Sequence, residues 1–244
     1  MDYYIFQDDN GIAVKTDIDL SLTEEALQQK RGWLLWIFVK IKSPNEMLWC
    51  GEDECSILSD MKKYFGEHME NGLDAVLAAV RMQDGWQEFY FYAPSAKKFE
   101  NYASEVMRSF GGYAYEVGSA KDAKWDKYLR ELYPDELMLQ QMQSRHIIKE
   151  LEDAGDFLEK EREVEHYLFF QTSAQAQRAE LLLQESGYKI KNNIEQEGDY
   201  FYGITVVKEH AATEEVLMHE TSKMIQVATD EHGIYEGWST VLAQ

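Results

Sequence analysis

Six histidines, two cysteines and 45 carboxylates are the side chains from which this 244-residue chain could build a metal centre or an acid–base pair. Their spacing argues against most such options. His219-Glu220 begins like a zinc-protease helix, in which two histidines four apart hold the ion and the glutamate polarises water. The residue four after His219 is Lys223, so the second ligand is missing and a solvated helix face is the simpler reading. His68, His146, His166, His210 and His232 share no ligand-like spacing. Cys50 and Cys55 are not a Cys-x-x-Cys pair and have no second pair to complete a site, so they read as ordinary reduced thiols of a cytosolic protein. No Gly-x-Ser-x-Gly elbow is present. Phe110-Gly111-Gly112-Tyr113 lacks both the Lys-Ser/Thr of a phosphate loop and the later glycine of a dinucleotide fingerprint. The residues predict no catalytic centre, no cofactor and no metal.

Charge is the strongest compositional signal: 24 Lys+Arg against 45 Asp+Glu, a net −21. A field of that sign repels phosphate backbones and speeds encounter with basic partners; the plainer reading is that it keeps the protein soluble. The acid is dense between Glu150 and Glu163, and Glu150, Glu152, Asp153, Asp156 and Glu163 are candidates for contact with a basic protein segment. His166, which follows Glu165, is first a satisfied strand-end histidine and second a member of that surface. Tyr235 and Trp238 in the closing Tyr235-Glu236-Gly237-Trp238 run read first as core, with Gly237 at a bulge, and second as partner-facing anchors. Phe89-Tyr90-Phe91-Tyr92 and Tyr200-Phe201-Tyr202 resemble the aromatic strands on which RNA-recognition domains stack bases. The basic residues and the Gly-aromatic motif that accompany such stacking are absent, so no direct nucleic-acid binding is predicted.

The elements that must position these residues recur in one order. Strand, helix, hairpin, helix, strand is readable twice, with a glycine hairpin at the same point: Asp84-Gly85 in the first copy and Gly198-Asp199 in the second. That order is the split β-α-β-β-α-β unit, and it predicts an α+β chain of two ferredoxin-like antiparallel α/β sandwich domains in tandem. The expected division is 1–134, with an extra N-terminal hairpin around Asn10-Gly11; 135–163, an acidic connecting helix; and 164–244. In the first copy, Trp33 to Lys42 reads as a central strand. Ile57, Met61, Tyr64, Phe65 and His68 mark one face of the next helix, and Asn71-Gly72 its stop. In the second copy, Ser173 and Thr213 read as helix caps, and His232 to Leu242 as the last strand. The N-terminus has no basic-then-apolar leader and no run reaches membrane-span length, so a cytoplasmic protein is expected.

Ile147-Ile148-Lys149-Glu150-Leu151, Gly155-Asp156, Glu165-His166, Gly187-Tyr188, Tyr235-Glu236-Gly237-Trp238 and Thr240 fall in the order in which they occur in the bacterial regulator of ribonuclease E activity B family, which the second half resembles. The resemblance implies a ferredoxin-like protein that binds ribonuclease E and modulates its cleavage of RNA without being a nuclease. The first half is similar to the domain of unknown function 695 family, through Glu88-Phe89-Tyr90-Phe91-Tyr92-Ala93-Pro94, Trp125, Tyr128 and Leu132-Tyr133-Pro134, and this implies no activity. The leading expectation is a non-catalytic regulator that meets a basic segment of a ribonuclease or RNA-processing assembly. The alternatives are a small-ligand sensor or enzyme using a cleft between the domains, and self-association through the sheets.

Overall fold

The computed structural model describes residues 1–28 and 30–243; Gln29, in the polar Ser21–Arg31 stretch, and the terminal Gln244 lie outside the described residues. The chain is a mixed α+β protein that divides into two compact units, Met1–Pro134 and Asp135–Gln244. Each has one antiparallel sheet with helices between its strands.

In the first unit, β1 (Asp2–Gln7) and β2 (Ala13–Ile18) form the N-terminal hairpin, followed by the short α1 (Thr23–Gln28). Then come β3 (Trp33–Lys40), α2 (Glu52–Leu73), β4 (Val76–Gln83), β5 (Trp86–Ala93), α3 (Phe99–Ser109) and β6 (Tyr115–Lys121), and the strand order across the sheet is β1-β2-β4-β5-β3-β6. The β4–β5 turn has Asp84 at φ 47° and Gly85 at φ 72°, the paired positive values that match a tight hairpin to the twist of its strands. Strand β3 is buried on the helix side and half-buried on the other, where Trp36 and Phe38 lie. Leu35, Ile37 and Val39 meet Leu58, Met61, Phe65 and Met69 of α2 and Ala103 and Val106 of α3. Of the five residues expected on the buried face of α2, Met61 and Phe65 are in the core, whereas Ile57, Tyr64 and His68 are exposed and Leu58 and Met69 are buried in their stead.

The opposite face of this sheet is closed by the segment after β6. Trp125 stacks on Tyr92 with ring centroids 3.7 Å apart, and Tyr128 and Leu132 are fully buried beside them. Phe89, Tyr90, Phe91 and Tyr92 are thus all inside, on both faces, and none presents a ring to a base.

Cys50 and Cys55 form a disulfide with Cα atoms 5.3 Å apart, which corrects the expectation of two reduced thiols. Gly51 is extended where it caps α2, and this carries Cys50 back over the first helical turn to Cys55. Metal-ligand spacing does not test for such a local staple, and the thiol argument for a reducing compartment falls with it. Among the described residues no helix is long and apolar enough to cross a membrane.

The second unit opens with α4 (Glu136–Asp153), followed by β7 (Arg162–Phe170), α5 (Ser173–Glu185), β8 (Lys189–Glu195), β9 (Tyr202–His210), α6 (Glu214–Asp230) and β10 (Ile234–Thr240), with strand order β10-β7-β9-β8. Thr172 rather than Ser173 caps α5, in a reciprocal capping box with Gln175. Leu168, Phe170, Ile204, Val206 and Tyr235 of the sheet pack on Ala176, Ala179 and Leu183 of α5 and Met224 and Ala228 of α6. A second cluster joins α4 to this core, with Ile148 and Leu151 against Val164, Leu217 and Trp238. The predicted bulge is present, with a register shift between Tyr235 and Gly237 and Gly237 at φ 124°.

Candidate functional site

The acid-rich stretch begins where α4 stops. Gly155 takes φ 78° and Asp156 N–H donates back to Leu151 O (3.0 Å), a left-handed stop that turns the chain away from the helix axis. Glu150, Glu152 and Asp153 on the last turn are exposed, as are Glu159, Glu161 and Glu163 on the way into and at the start of β7. No ion pair among the described residues involves any of these six.

Asp156 is the exception. Its carboxylate receives both 2.7 and 2.6 Å bonds from Arg162 Nη1 and a 2.8 Å bond from Ala243 N–H, and its side chain has no exposure to solvent. The remaining Arg162 donors go to Phe157 O (2.6 Å) and Lys160 O (3.0 Å). Burial raises the Asp156 carboxyl, but the Arg162 and Ala243 hydrogen bonds and the guanidinium charge outweigh it and hold the group below the usual carboxylate range. Asp156 is accordingly a structural anion and is not available to a partner, a correction to its place among the surface candidates.

His166, Tyr235 and Trp238 are buried, in keeping with the first reading of each as core rather than the second as partner-facing. His166 is wholly buried on β7, with Nδ1 2.8 Å from the Tyr235 hydroxyl. Its pKa is lowered to about 3, first by burial and then by the charges of His210, Lys208 and Lys223. His210 donates Nδ1–H to Ala211 O at 2.8 Å. Around this pair, Glu220 of α6 bonds to the Tyr188 hydroxyl and to Lys208 Nζ (2.8 Å). Trp238 donates its indole N–H to Ser144 Oγ of α4 (2.9 Å) and is 6% exposed, so its polar tip is satisfied inside the unit. The structure brings His166 and Tyr235 together as core and leaves Glu150, Glu152, Asp153 and Glu163 at the surface. Arg162 was not singled out in the sequence, where it is one of two cations in the acid run with Lys160. Glu220, read as part of a solvated helix face, is instead 5% exposed, and Tyr188 and His210 were named without the buried contacts they make.

The first unit buries polar side chains too, among them Thr16, Glu54, Arg81 and Glu88. Glu88 accepts from Tyr90 (2.6 Å) and Gln83 (3.2 Å), across the β4–β5 pair from Arg81, which donates to Thr16 Oγ1 and Glu131 O. Burial raises Glu88 above its ordinary range against the Tyr90 hydrogen bond and the Arg81 and Lys127 charges. Glu88, Tyr90, Gln83 and Arg81 thus find partners within the first unit.

Residues 141–240 match the model of the family described as Regulator of ribonuclease activity B, and residues 2–133 match that of the Family of unknown function (DUF695), the two halves their motifs predict. Over residues 141–240 the second unit is thus similar to regulators of ribonuclease activity. No curated protein matches the chain. Among solved structures, an unknown protein from Galdieria sulphuraria is 11% identical over 87% of this chain and 99% of its own, with TM-score 0.23. Protein BT0572 from Bacteroides thetaiotaomicron is 9% identical over 84% and 92%, with TM-score 0.19, and at these scores neither bears on the fold. Through residues 2–133, more than half its length, the chain belongs to the family of unknown function DUF695.

Proposed function

We propose that the chain is a non-catalytic regulator whose second unit binds a basic segment of a ribonuclease or RNA-processing assembly through the exposed Glu150, Glu152, Asp153 and Glu163. The observation that carries this reading is the match of residues 141–240 to regulators of ribonuclease activity. The β-α-β-β-α-β order and the β10-β7-β9-β8 arrangement support a ferredoxin-like unit as the scaffold, and the β4-β5-β3-β6 portion of the first sheet supports the same for its partner. The physical support is local charge. Arg162 and Asp156 neutralise one another, so six exposed carboxylates between Glu150 and Glu163 face one exposed cation, Lys160. That surface repels a phosphate backbone and attracts lysine and arginine.

Ribonuclease E, the enzyme the resemblance names, is the protein to test. The immobilised full-length chain retains it at low ionic strength and releases it as salt rises, because exposed charges are screened over roughly 8 Å at physiological ionic strength. The triple variant Glu150→Lys, Glu152→Lys, Asp153→Lys binds at least about tenfold more weakly. Flow-through at every ionic strength excludes this target, and retention that ignores salt excludes the electrostatic mechanism.

A further inference from the structure

Between α4 and β7 lies one ion pair withdrawn from water and, beside it, large apolar side chains that are not. Asp156 is 0% and Arg162 5% exposed, whereas Phe157 is 64%, Val241 72% and Leu242 50% exposed. The loop has a means of burying apolar residues and uses it elsewhere: Leu158 packs against the α4–Trp238 cluster, and Leu158 O accepts from Ala212 N–H at 2.8 Å. Phe157 cannot follow it inward. Both its backbone polar groups are engaged, N–H to Ala243 O (2.9 Å) and C=O from Arg162 Nη2 (2.6 Å), and Ala243 N–H is itself held by Asp156. The buried pair therefore clamps the loop and the C-terminal segment together, with three apolar side chains held outward. An exposed apolar group on a fixed backbone, bordered by carboxylates, has the make-up of a binding surface.

We infer that the junction of loop 154–161 with segment 241–243 is a docking surface for a protein segment in which lysine or arginine alternates with apolar residues. This rests on the reading above that the second unit binds protein, and it adds what the charge alone does not specify. Glu152, Asp153, Glu159 and Glu161 take the cations, and Phe157, Val241 and Leu242 take the apolar side chains. Because the clamp forms without the partner, little ordering remains to be done on binding.

The test uses the full-length chain and three labelled peptides of equal length, with repeats of Arg-Leu, Arg-Ser and Glu-Leu, read by fluorescence anisotropy. Wild type binds Arg-Leu about tenfold or more tightly than Arg-Ser, and does not bind Glu-Leu. The double variant Phe157→Ser, Leu242→Ser loses that preference and keeps its Arg-Ser affinity within about twofold. Equal Arg-Leu binding by variant and wild type overturns the inference, as does a wild type with no preference. Hydrogen exchange on the wild type, protected by Arg-Leu over 156–163 and 241–243, maps the surface even if the variant is destabilised; protection elsewhere overturns it. A dimer in light scattering that the double variant abolishes, with no peptide bound, assigns the surface to a second copy and overturns it. Ribonuclease E bound equally by wild type and double variant rejects the docking surface alone. Loss of ribonuclease E binding altogether, with the peptide preference intact, rejects the ribonuclease target alone.

Discussion

Burial first, and then the charges of His210, Lys208 and Lys223, oppose the protonation of His166. Tyr235 faces Nδ1, His210 lies with its ring centroid 5.8 Å away, and the ammonium groups of Lys208 and Lys223 stand nearby, only part of their charge answered by Glu220. Its folded pKa of about 3 is far below the ordinary 6.5, so the unfolded chain binds the extra proton between those values. Stability from this group is complete above pH 6.5 and is lost as pH falls toward 3, at up to about 1.4 kcal/mol per pH unit. His210 is lowered in the same direction, whereas Glu88 and Glu220, both raised above the 4.5 of a free glutamate, gain stability on acidification and work against it. Thermal unfolding from pH 6.5 to 5 should therefore show a smaller loss of Tm for His166→Gln than for wild type. Parallel curves for the two proteins sink the assignment. Such a residue was only half legible beforehand: the sequence puts His166 at a strand end, the structure puts it in the middle of β7, and the charges that lower its pKa come from β9 and α6. Asp156 was misread for the same reason. Its neighbours in sequence are acidic and exposed, and only the turn at Gly155 brings Arg162 round to bury it.

At the scale of elements, the Cys50–Cys55 bridge joins a loop to the helix it precedes. Segment 44–50 is otherwise tied down by the Pro44–Cys50 bridge, by Trp49 Nε1 to Ala13 O (3.0 Å), and through Glu54, whose carboxylate accepts from Lys42 and Ser43 N–H, both at 2.8 Å. Closing so short a loop restricts the unfolded chain by about 2 kcal/mol in the chain-entropy account. Protein purified without reductant should show no free thiol to maleimide after denaturation, and two after reduction. Cys55→Ser should lose no more than about 2 kcal/mol in urea unfolding and exchange amide hydrogens faster over 44–50, with the Glu54 bonds keeping α2 in place. Two free thiols before reduction exclude the bridge. Hairpins and strands were the readily legible elements, because Asp84-Gly85 and the continuous apolar run Trp33–Val39 are local signals whose geometry tolerates few alternatives. The face of α2 was legible only at its centre, Met61 and Phe65. Toward its ends Ile57 and Tyr64 fit an apolar stripe as well as Leu58 and Met69 do, and the sheet decides between them.

Across the whole molecule the charge is uneven. Residues 135–244 hold 22 Asp+Glu against nine Lys+Arg, a net −13, and the longer first unit carries the remaining −8. The more acidic unit is the one that matches regulators of ribonuclease activity, and among the described residues two apolar clusters are built within it. A piece whose core is self-contained, with α4 as one wall, has what it needs to fold alone, whereas one cut at Val164 would lose Ile148, Leu151 and Ser144 from around Trp238. Residues 135–244 expressed alone should therefore unfold in a single cooperative urea transition, and residues 164–244 should not. If the regulatory surface is confined to this unit, the fragment 135–244 binds ribonuclease E within about threefold of the full chain and with the same salt slope, since the screened charges are the same. A folded fragment that binds far more weakly would instead give the DUF695 unit a direct share in the contact.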